Sequence, residues 1–370
     1  MASVASKTRV VILFGGRSAE HEVSLLSARN VVAALDPSRF EPVLIGIDKE
    51  GRWHHEDRRT LEGAAGDPRQ LALDGAAPLA PVHAYPEPEN ALATLRADDV
   101  VFPVLHGTYG EDGTVQGLLE LANVAYVGPG VLGSAVGMDK DVAKRLLRDS
   151  GIPVVPFHTV AATSWRRQPD EVRAQAAALG FPLFVKPANA GSSVGVHKVK
   201  EPAALAPALE DALSFDRKVL LEKGIDAREI ECAVLGNDDP EASVPGEVVL
   251  GQGHGFYSYE AKYVDPNGAA IRIPADVPEA VANEVRRLAV ATFRALDLAG
   301  MARVDFFLER GSNRLFVNEV NTIPGFTAIS MYPKMWEASG LPPRALMTRL
   351  VELAQERHRA RRALRTSVDG

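Results

Sequence analysis

Cysteine is nearly absent from this chain of 370 residues: Cys232 is the only one, so no internal disulfide can form. That excludes the disulfide-stapled secreted scaffolds and suits a reducing compartment. Cys232 lies in the apolar run Ile230-Glu-Cys-Ala-Val-Leu235, where it reads as a small buried hydrophobe and not as a nucleophile. No apolar run is long enough to cross a bilayer. The opening MASVASKTRVVILFGG has no apolar stretch followed by a small-residue cleavage site, so the expectation is no signal peptide, no membrane partner and a cytoplasmic setting. Basic excess is lacking too, and a net charge of −7 speaks against a nucleic-acid surface. The basic tail Arg357-His-Arg-Ala-Arg-Arg362 is an exception, read here as a solvated helix end. There is no G-x-x-x-x-G-K-[ST] loop, so any bound nucleotide needs another phosphate cradle. Neither an internal repeat nor a heptad array is present.

What is present is ordinary globular material, 46% hydrophobic and 24% charged, in a length that predicts two or three domains. Arg9 to Phe14 is an apolar strand ending in Gly15-Gly16, and a helical pattern follows from about Glu22 to Leu35. Strand, glycine turn and helix in that order open a parallel α/β sheet, with further strands at Phe40 to Asp48 and Val100 to Leu105. Residues 51–95 show no period and read as loops and short helices. After Val124 to Gly128 comes a helix from about Asp139, stopped by Gly151 and Pro153. A second unit has a strand at 153–160, a helix to about Leu179 and a strand at Pro182 to Pro187. A third has strands near 228–236, 243–250, 301–309 and 314–320, with a helix at about 277–296.

Two strand segments carry the most chemistry, Met301-Ala-Arg-Val-Asp-Phe306 and Val317-Asn-Glu-Val-Asn321. Alternate side chains of a strand share a face, so Arg303 joins Asp305, and Glu319 joins Asn321. If the strands pair, one face gathers three oxygen ligands and a guanidinium. Such oxygens suit a hard cation like Mg²⁺, which keeps part of its shell for water and phosphate. Gly191-Ser-Ser-Val-Gly195 is a small-residue loop whose backbone N–H groups can approach phosphate oxygens; alone such a loop is more often a plain turn. Lys186 at a strand mouth and Lys140 in Met138-Asp-Lys supply point charges for the same phosphates. Glu20 and Glu22 stand beside a helix start, where carboxylates also serve the macrodipole. Gly128-Pro-Gly-Val-Leu-Gly133 matches G-x-G-x-x-G but lies far from the first strand-to-helix turn, so it reads as a decoy.

Taken together, these segments resemble the D-alanine–D-alanine ligase family of the ATP-grasp superfamily, from Val10 to about Leu353. The likeness rests on Gly15-Gly16-x-Ser-Ala-Glu-x-Glu-Val-Ser24, Leu105-His-Gly-x-x-Gly-Glu-Asp-Gly-Thr-x-Gln-Gly117 and Met138-Asp-Lys140. It continues through Val185-Lys-Pro187, Gly191 to Gly195, Glu260-Ala-Lys-Tyr263, Gly300-x-x-Arg-Val-Asp305 and Glu319-Val-Asn-Thr-x-Pro-Gly-Phe-Thr327. The resemblance implies an α/β chain: a Rossmann-like substrate-binding domain over 1–128, a central ATP-grasp subdomain over 129–222, and a C-terminal one over 223–370. It implies a homodimer acting on D-alanine and ATP, with two Mg²⁺, or Mn²⁺ in their place.

By the same resemblance, Asp305, Glu319 and Asn321 hold the metals, while Arg303 and the N–H of Gly325 form an oxyanion hole. Lys140, Lys186 and Ser193 belong to the nucleotide set, and Lys262 to the transferred phosphate. Glu222 and Glu229 match adenine and ribose positions, with the backbone of Lys223 and Ile225 along the adenine edge. Glu20 matches the carboxylate facing the first substrate's ammonium, Ser192 and Tyr263 its hydrogen-bonded partners, and Ser330 the group at the second substrate's carboxylate. The glycine-rich stretch 251–259 suits a lid. Two positions depart from the family: Gly224 stands where some members carry an aromatic beside adenine, and Ile323 where some are smaller. Tyr263 favours an amine as second substrate over the hydroxyl of D-lactate, for which related ligases often carry phenylalanine. A catalytically silent nucleotide-binding regulator is the alternative from another class, and intact metal ligands speak against it.

Overall fold

The computed structural model describes residues 7–18, 20–57, 61, 94–250 and 269–365. The first sheet contains β1 (Thr8–Gly15), β2 (Phe40–Ile47), β3 (Trp53–Glu56), β4 (Val100–Val104) and β5 (Ala125–Tyr126), with α1 (His21–Ala34) and α2 (Thr114–Leu121) between them. Its order is β3-β2-β1-β4-β5, parallel except for the antiparallel edge strand β3. Both faces are covered, which is why β1 is a continuous apolar run. Val10, Ile12 and Phe14 enter one core with α1, and Val11 and Leu13 enter another with Val115 and Leu119 of α2. The reading of 51–95 as loops and short helices is corrected at β3, since four residues are too few to show a period. Most of the remainder of that stretch lies outside the described residues.

Next come α3 (Val131–Met138) and α4 (Lys140–Asp149), the latter capped by Asp139, whose carboxylate accepts from Val142 N at 3.1 Å. The second sheet is antiparallel in the order β6-β9-β7-β8, from β6 (Phe157–Ala161), β7 (Leu183–Pro187), β8 (His197–Val199) and β9 (Lys218–Lys223). The strand expected at 153–160 is displaced to 157–161, because Pro153 accepts from Val317 N at 2.8 Å and Val154 bridges to Val317. The single helix expected before Leu179 is two, α5 (Ala162–Arg167) and α6 (Pro169–Leu179), broken at the proline. Helix α7 (Leu205–Phe215) covers this sheet.

The third sheet has β10 (Ala227–Gly236), β11 (Glu241–Ala242), β12 (Gly246–Leu250), β13 (Ala269–Arg272), β14 (Gly300–Glu309) and β15 (Leu315–Asn321), in the order β13-β12-β10-β14-β15. Helix α8 (Glu279–Ala295) covers one face, where Ile230, Cys232, Val304 and Phe306 are buried against Val285, Leu288 and Phe293. On the other face α9 (Met331–Ala338) covers Ala233, Leu235 and Met301, leaving the Glu231 and Asp305 end open. Helix α10 (Pro343–Arg362) joins that core to the first sheet through Leu346, Leu350 and Val10.

The tail is only partly the solvated end expected of it. Arg357 packs over the Tyr126 ring at 4.3 Å and donates to the carbonyl oxygens of Tyr126 and Gly128, whereas Arg359, Arg361 and Arg362 are exposed. The glycines of the decoy motif serve packing. A Cβ on Gly133 would lie 2.4 Å from Asp297 O, and one on Gly300 would lie 3.1 Å from Gly128 N. Among the described residues no helix is long and apolar enough to cross a membrane.

Candidate active site

Strand register assembles the polar face. In β10–β14 Glu231 faces Asp305, and in β14–β15 Asp305 faces Glu319 while Arg303 faces Asn321. Directly paired residues share a face, so the four expected side chains are neighbours, as period-two alternation predicts. A bulge at Asp305/Phe306 follows without disturbing that pairing. Arg303 donates from Nε to Asp305 Oδ1 at 2.7 Å and from Nη2 to Oδ2 at 2.8 Å. Burial works against the guanidinium's charge, but the carboxylates of Asp305 and Glu231 outweigh it and hold its pKa well above the ordinary value. Asn321 Nδ2 donates to Asp305 Oδ2 at 2.9 Å.

Across the cleft, the second sheet presents lysines and the small-residue loop. The cleft is lined by Lys140, Lys186, Ser192, Ser193, Glu222, Lys223 and Ile225 from that side and its crossover, and by Glu229, Arg303, Asp305 and Glu319 from the third sheet. Lys140 Nζ donates to Ala190 O at 2.9 Å and lies 3.2 Å from Glu319 Oε2, so one ammonium ties the loop to β15. Ser192 and Ser193 adopt φ of 48° and 58°, which turns the loop tightly between β7 and β8. Lys223 N–H donates to Pro156 O at 3.0 Å, so that amide is already committed. Gly224 has a steric cause, since a Cβ there would lie 2.6 Å from Pro182 O. The apolar lining comes instead from Phe184, Phe306 and Phe307.

Glu222 is almost wholly buried between two ammonium groups, Lys186 at 2.5 Å and Lys144 at 2.6 Å. Burial alone would raise its pKa; the charges of Lys144 and Lys186 reverse that and hold it below the usual carboxylate range. Burial lowers Lys144's own pKa, with Glu222 opposing. Sequence reasoning missed Lys144, although it follows Lys140 by one helical turn on α4 and so shares its face.

The first sheet contributes from its carboxyl end. Glu20 does not cap α1; its Oε1 accepts from Ser192 Oγ at 2.5 Å, and a Cβ on Gly191 would lie 2.8 Å from its Oε2. The loop after β15 brings Gly325 and Ser330 together, with Ser330 Oγ accepting from Thr327 N at 2.9 Å. Residues of α1 hold this loop: Ser27 Oγ accepts from Phe326 N at 3.1 Å, and Asn30 Nδ2 donates to Phe326 O at 2.9 Å. His106 Nδ1, necessarily protonated to face a carbonyl, donates to Ile323 O at 3.0 Å. Glu111 accepts from Gly107 N at 2.9 Å and Ile323 N at 3.2 Å. Burial first, then the charge of Glu20, pushes the Glu111 carboxyl up to about 8. Ile323, one of the two departures, is therefore a buried anchor.

The donor set suits a hard cation: two carboxylates and a carboxamide on adjacent strands, the carboxylates being neutralised here by Arg303 and Lys140. Among the described residues no three His, Cys, Asp or Glu side chains group closely enough to hold a metal. Glu260, Lys262, Tyr263 and the lid at 251–259 lie outside the described residues.

The chain matches known proteins over most of its length. Residues 9–129 match the family described as D-ala D-ala ligase N-terminus, and residues 146–352 match D-ala D-ala ligase C-terminus. The chain is 51% identical over 369 residues to D-alanine–D-alanine ligase A of Salmonella typhimurium strain LT2, covering 98% of this chain and 100% of the relative. It is 52% identical over 375 residues to the protein of that name from Bradyrhizobium diazoefficiens, covering 98% of each. Among solved structures it is similar to the D-alanine-D-alanine ligase from Coxiella burnetii, with TM-score 0.79, 40% identity and 97% of each chain covered. It is also similar to the VanG D-Ala:D-Ser ligase from Enterococcus faecalis, with TM-score 0.79, 35% identity, and 94% and 100% covered.

Proposed function

This chain belongs to the D-alanine–D-alanine ligase family, and on that premise we propose how its own residues divide the work of joining two D-alanines at the expense of ATP. A carboxylate is a poor electrophile, so an oxygen of the first D-alanine's carboxylate takes the terminal phosphoryl group of ATP, and ADP leaves. The amine of the second D-alanine then attacks the acyl carbon, the C–O bond to phosphate breaks, and the amine's proton is lost as D-alanyl-D-alanine forms. Negative charge builds on transferring oxygens in both steps, so fixed positive groups are the main catalytic need.

In this reading Arg303 and Gly325 N–H receive the charge at the reacting carboxyl, and Ser330 beside Gly325 takes the second substrate's carboxylate. Glu20 receives the first substrate's ammonium, with Ser192 already bonded to it and Tyr263 as the further partner. Lys140, Lys186 and Ser193 face the phosphates that stay, and Lys262 the one that moves. Glu222, Glu229 and the backbone of Lys223 and Ile225 hold the nucleoside. Asp305, Glu319 and Asn321 hold two Mg²⁺, which when bound neutralise phosphate charge. Three units, 1–128, 129–222 and 223–370, a homodimer and a cytoplasmic setting complete the proposal, all on the family likeness.

The observation that carries it is the row Arg303, Asp305, Glu319 facing Lys140 and Lys186 across one cleft, with Glu20 reaching Ser192 from the first sheet. The test is ADP release with MgATP and D-alanine, L-alanine, or D-alanine plus D-lactate, with products identified by mass. ADP and D-alanyl-D-alanine forming together, with L-alanine inert, is the expected result. A depsipeptide as main product would overturn the choice of an amine, and no ADP in any mixture would overturn the activity. Arg303→Ala is expected to lower kcat roughly 100- to 1000-fold while ATP still binds.

A further inference from the structure

Glu231 is a site carboxylate that neither the sequence motifs nor the ligase reading employs. It pairs with Asp305 across β10 and β14, so Glu231, Asp305 and Glu319 form one row over three strands. Three adjacent carboxylates repel, and a single guanidinium serves two of them. Arg303 Nε lies 2.7 Å from Asp305 Oδ1 and 2.9 Å from Glu231 Oε2. Its N–H is directed at Asp305, while Glu231, only 5% exposed, makes the charge contact.

A divalent cation bound at Asp305 competes for the oxygens that Arg303 now holds. Losing that partner would leave a largely buried guanidinium short of negative charge, which proteins tolerate poorly. The same Nε already lies 2.9 Å from Glu231 Oε2.

We propose that Glu231 is a positioning residue, the second seat to which the Arg303 guanidinium transfers when metal occupies Asp305. The transfer frees the Asp305 oxygens and leaves the remaining guanidinium N–H groups for the substrate carboxyl. This inference rests on the proposed metal site, and its test separates the two.

Mn²⁺ binding to the whole protein, saturated with a non-hydrolysable ATP analogue, is followed by electron paramagnetic resonance. Wild type is compared with Glu231→Ala and Glu231→Gln, each also in an Arg303→Gln background. The expected result is about tenfold weaker Mn²⁺ binding in Glu231→Ala and about threefold weaker in the isosteric Glu231→Gln, which decides the matter if the alanine variant does not fold. In the Arg303→Gln background the effect of Glu231→Ala should shrink below about twofold, the signature of a coupled pair. Unchanged affinity in folded Glu231 variants would overturn the second seat alone. So would an equal shift without Arg303, since Glu231 would then act only as a nearby negative charge. No Mn²⁺ binding by wild type would overturn the metal site together with the inference.

Discussion

Replacing Lys144 by methionine removes one of the two cations that neutralise Glu222 and nearly keeps the side chain's volume. Lys144 Nζ lies 2.6 Å from Glu222 Oε2, and both side chains are at most 2% exposed. At an effective dielectric of about 20 that contact is worth roughly 6 kcal/mol before desolvation is counted. Removing one partner of a buried pair costs about 3–5 kcal/mol in measured cases. Here Lys186 stays on the other Glu222 oxygen at 2.5 Å, and the repulsion between the two lysines disappears. The expected loss is therefore about 2–4 kcal/mol. Glu222→Gln strands two ammonium groups in place of one carboxylate and should cost more. The double variant should recover about 1–3 kcal/mol relative to the sum of the singles. Hydrogen exchange at the β9 amides, read by mass spectrometry, reports the local opening free energy of this sheet without assuming that the whole chain unfolds as one unit. A loss below about 1 kcal/mol for Lys144→Met, or a milder effect for Glu222→Gln than for Lys144→Met, would refute the reasoning.

Three further outcomes follow from other buried groups. The Glu111 carboxyl, pushed up to about 8, keeps its proton in the folded state where the unfolded chain, ordinary value 4.5, has lost it. Unfolding then releases a proton between those values, so stability should fall as pH rises from about 4.5 through 8 and level off above, by at most about 5 kcal/mol. Glu111→Gln should lack that slope, and parallel urea midpoints for the two proteins from pH 5 to 9 would refute it. Burial pushes the Cys232 thiol up to about 12, leaving roughly one thiolate in 10,000 at pH 8. Native protein should therefore resist a thiol-disulfide reagent for hours and react fully in urea; rapid native labelling would be the contrary result. Arg357→Ala loses the Tyr126 stack and two carbonyl partners, for an expected cost of about 2–3 kcal/mol in denaturant unfolding, against less than about 0.5 for exposed Arg359→Ala.

Local periodicity made much of this protein legible in its sequence. Alternation in β14 and β15 put Arg303 and Asp305 on one face and Glu319 and Asn321 on one face, because a strand's side chains alternate whatever it packs against. The opening strand, glycine turn and helix announced a parallel sheet, and the lone cysteine a reduced core thiol. Short elements escaped, as β3 shows, since four residues carry no measurable period.

Tertiary structure decided which of the chain's many charged residues matter and what each one faces. Glu231 and Lys144 look like ordinary surface charges in a linear reading, and strand register and helix facing alone put them against Arg303 and Glu222. Arg357 reads as solvated in the sequence, and only folding sets Tyr126, more than 200 positions earlier, beneath it. The division has a physical cause: periodicity, turn chemistry and capping act within a few residues along the chain, whereas the charge a group keeps depends on burial and on partners that only folding brings near.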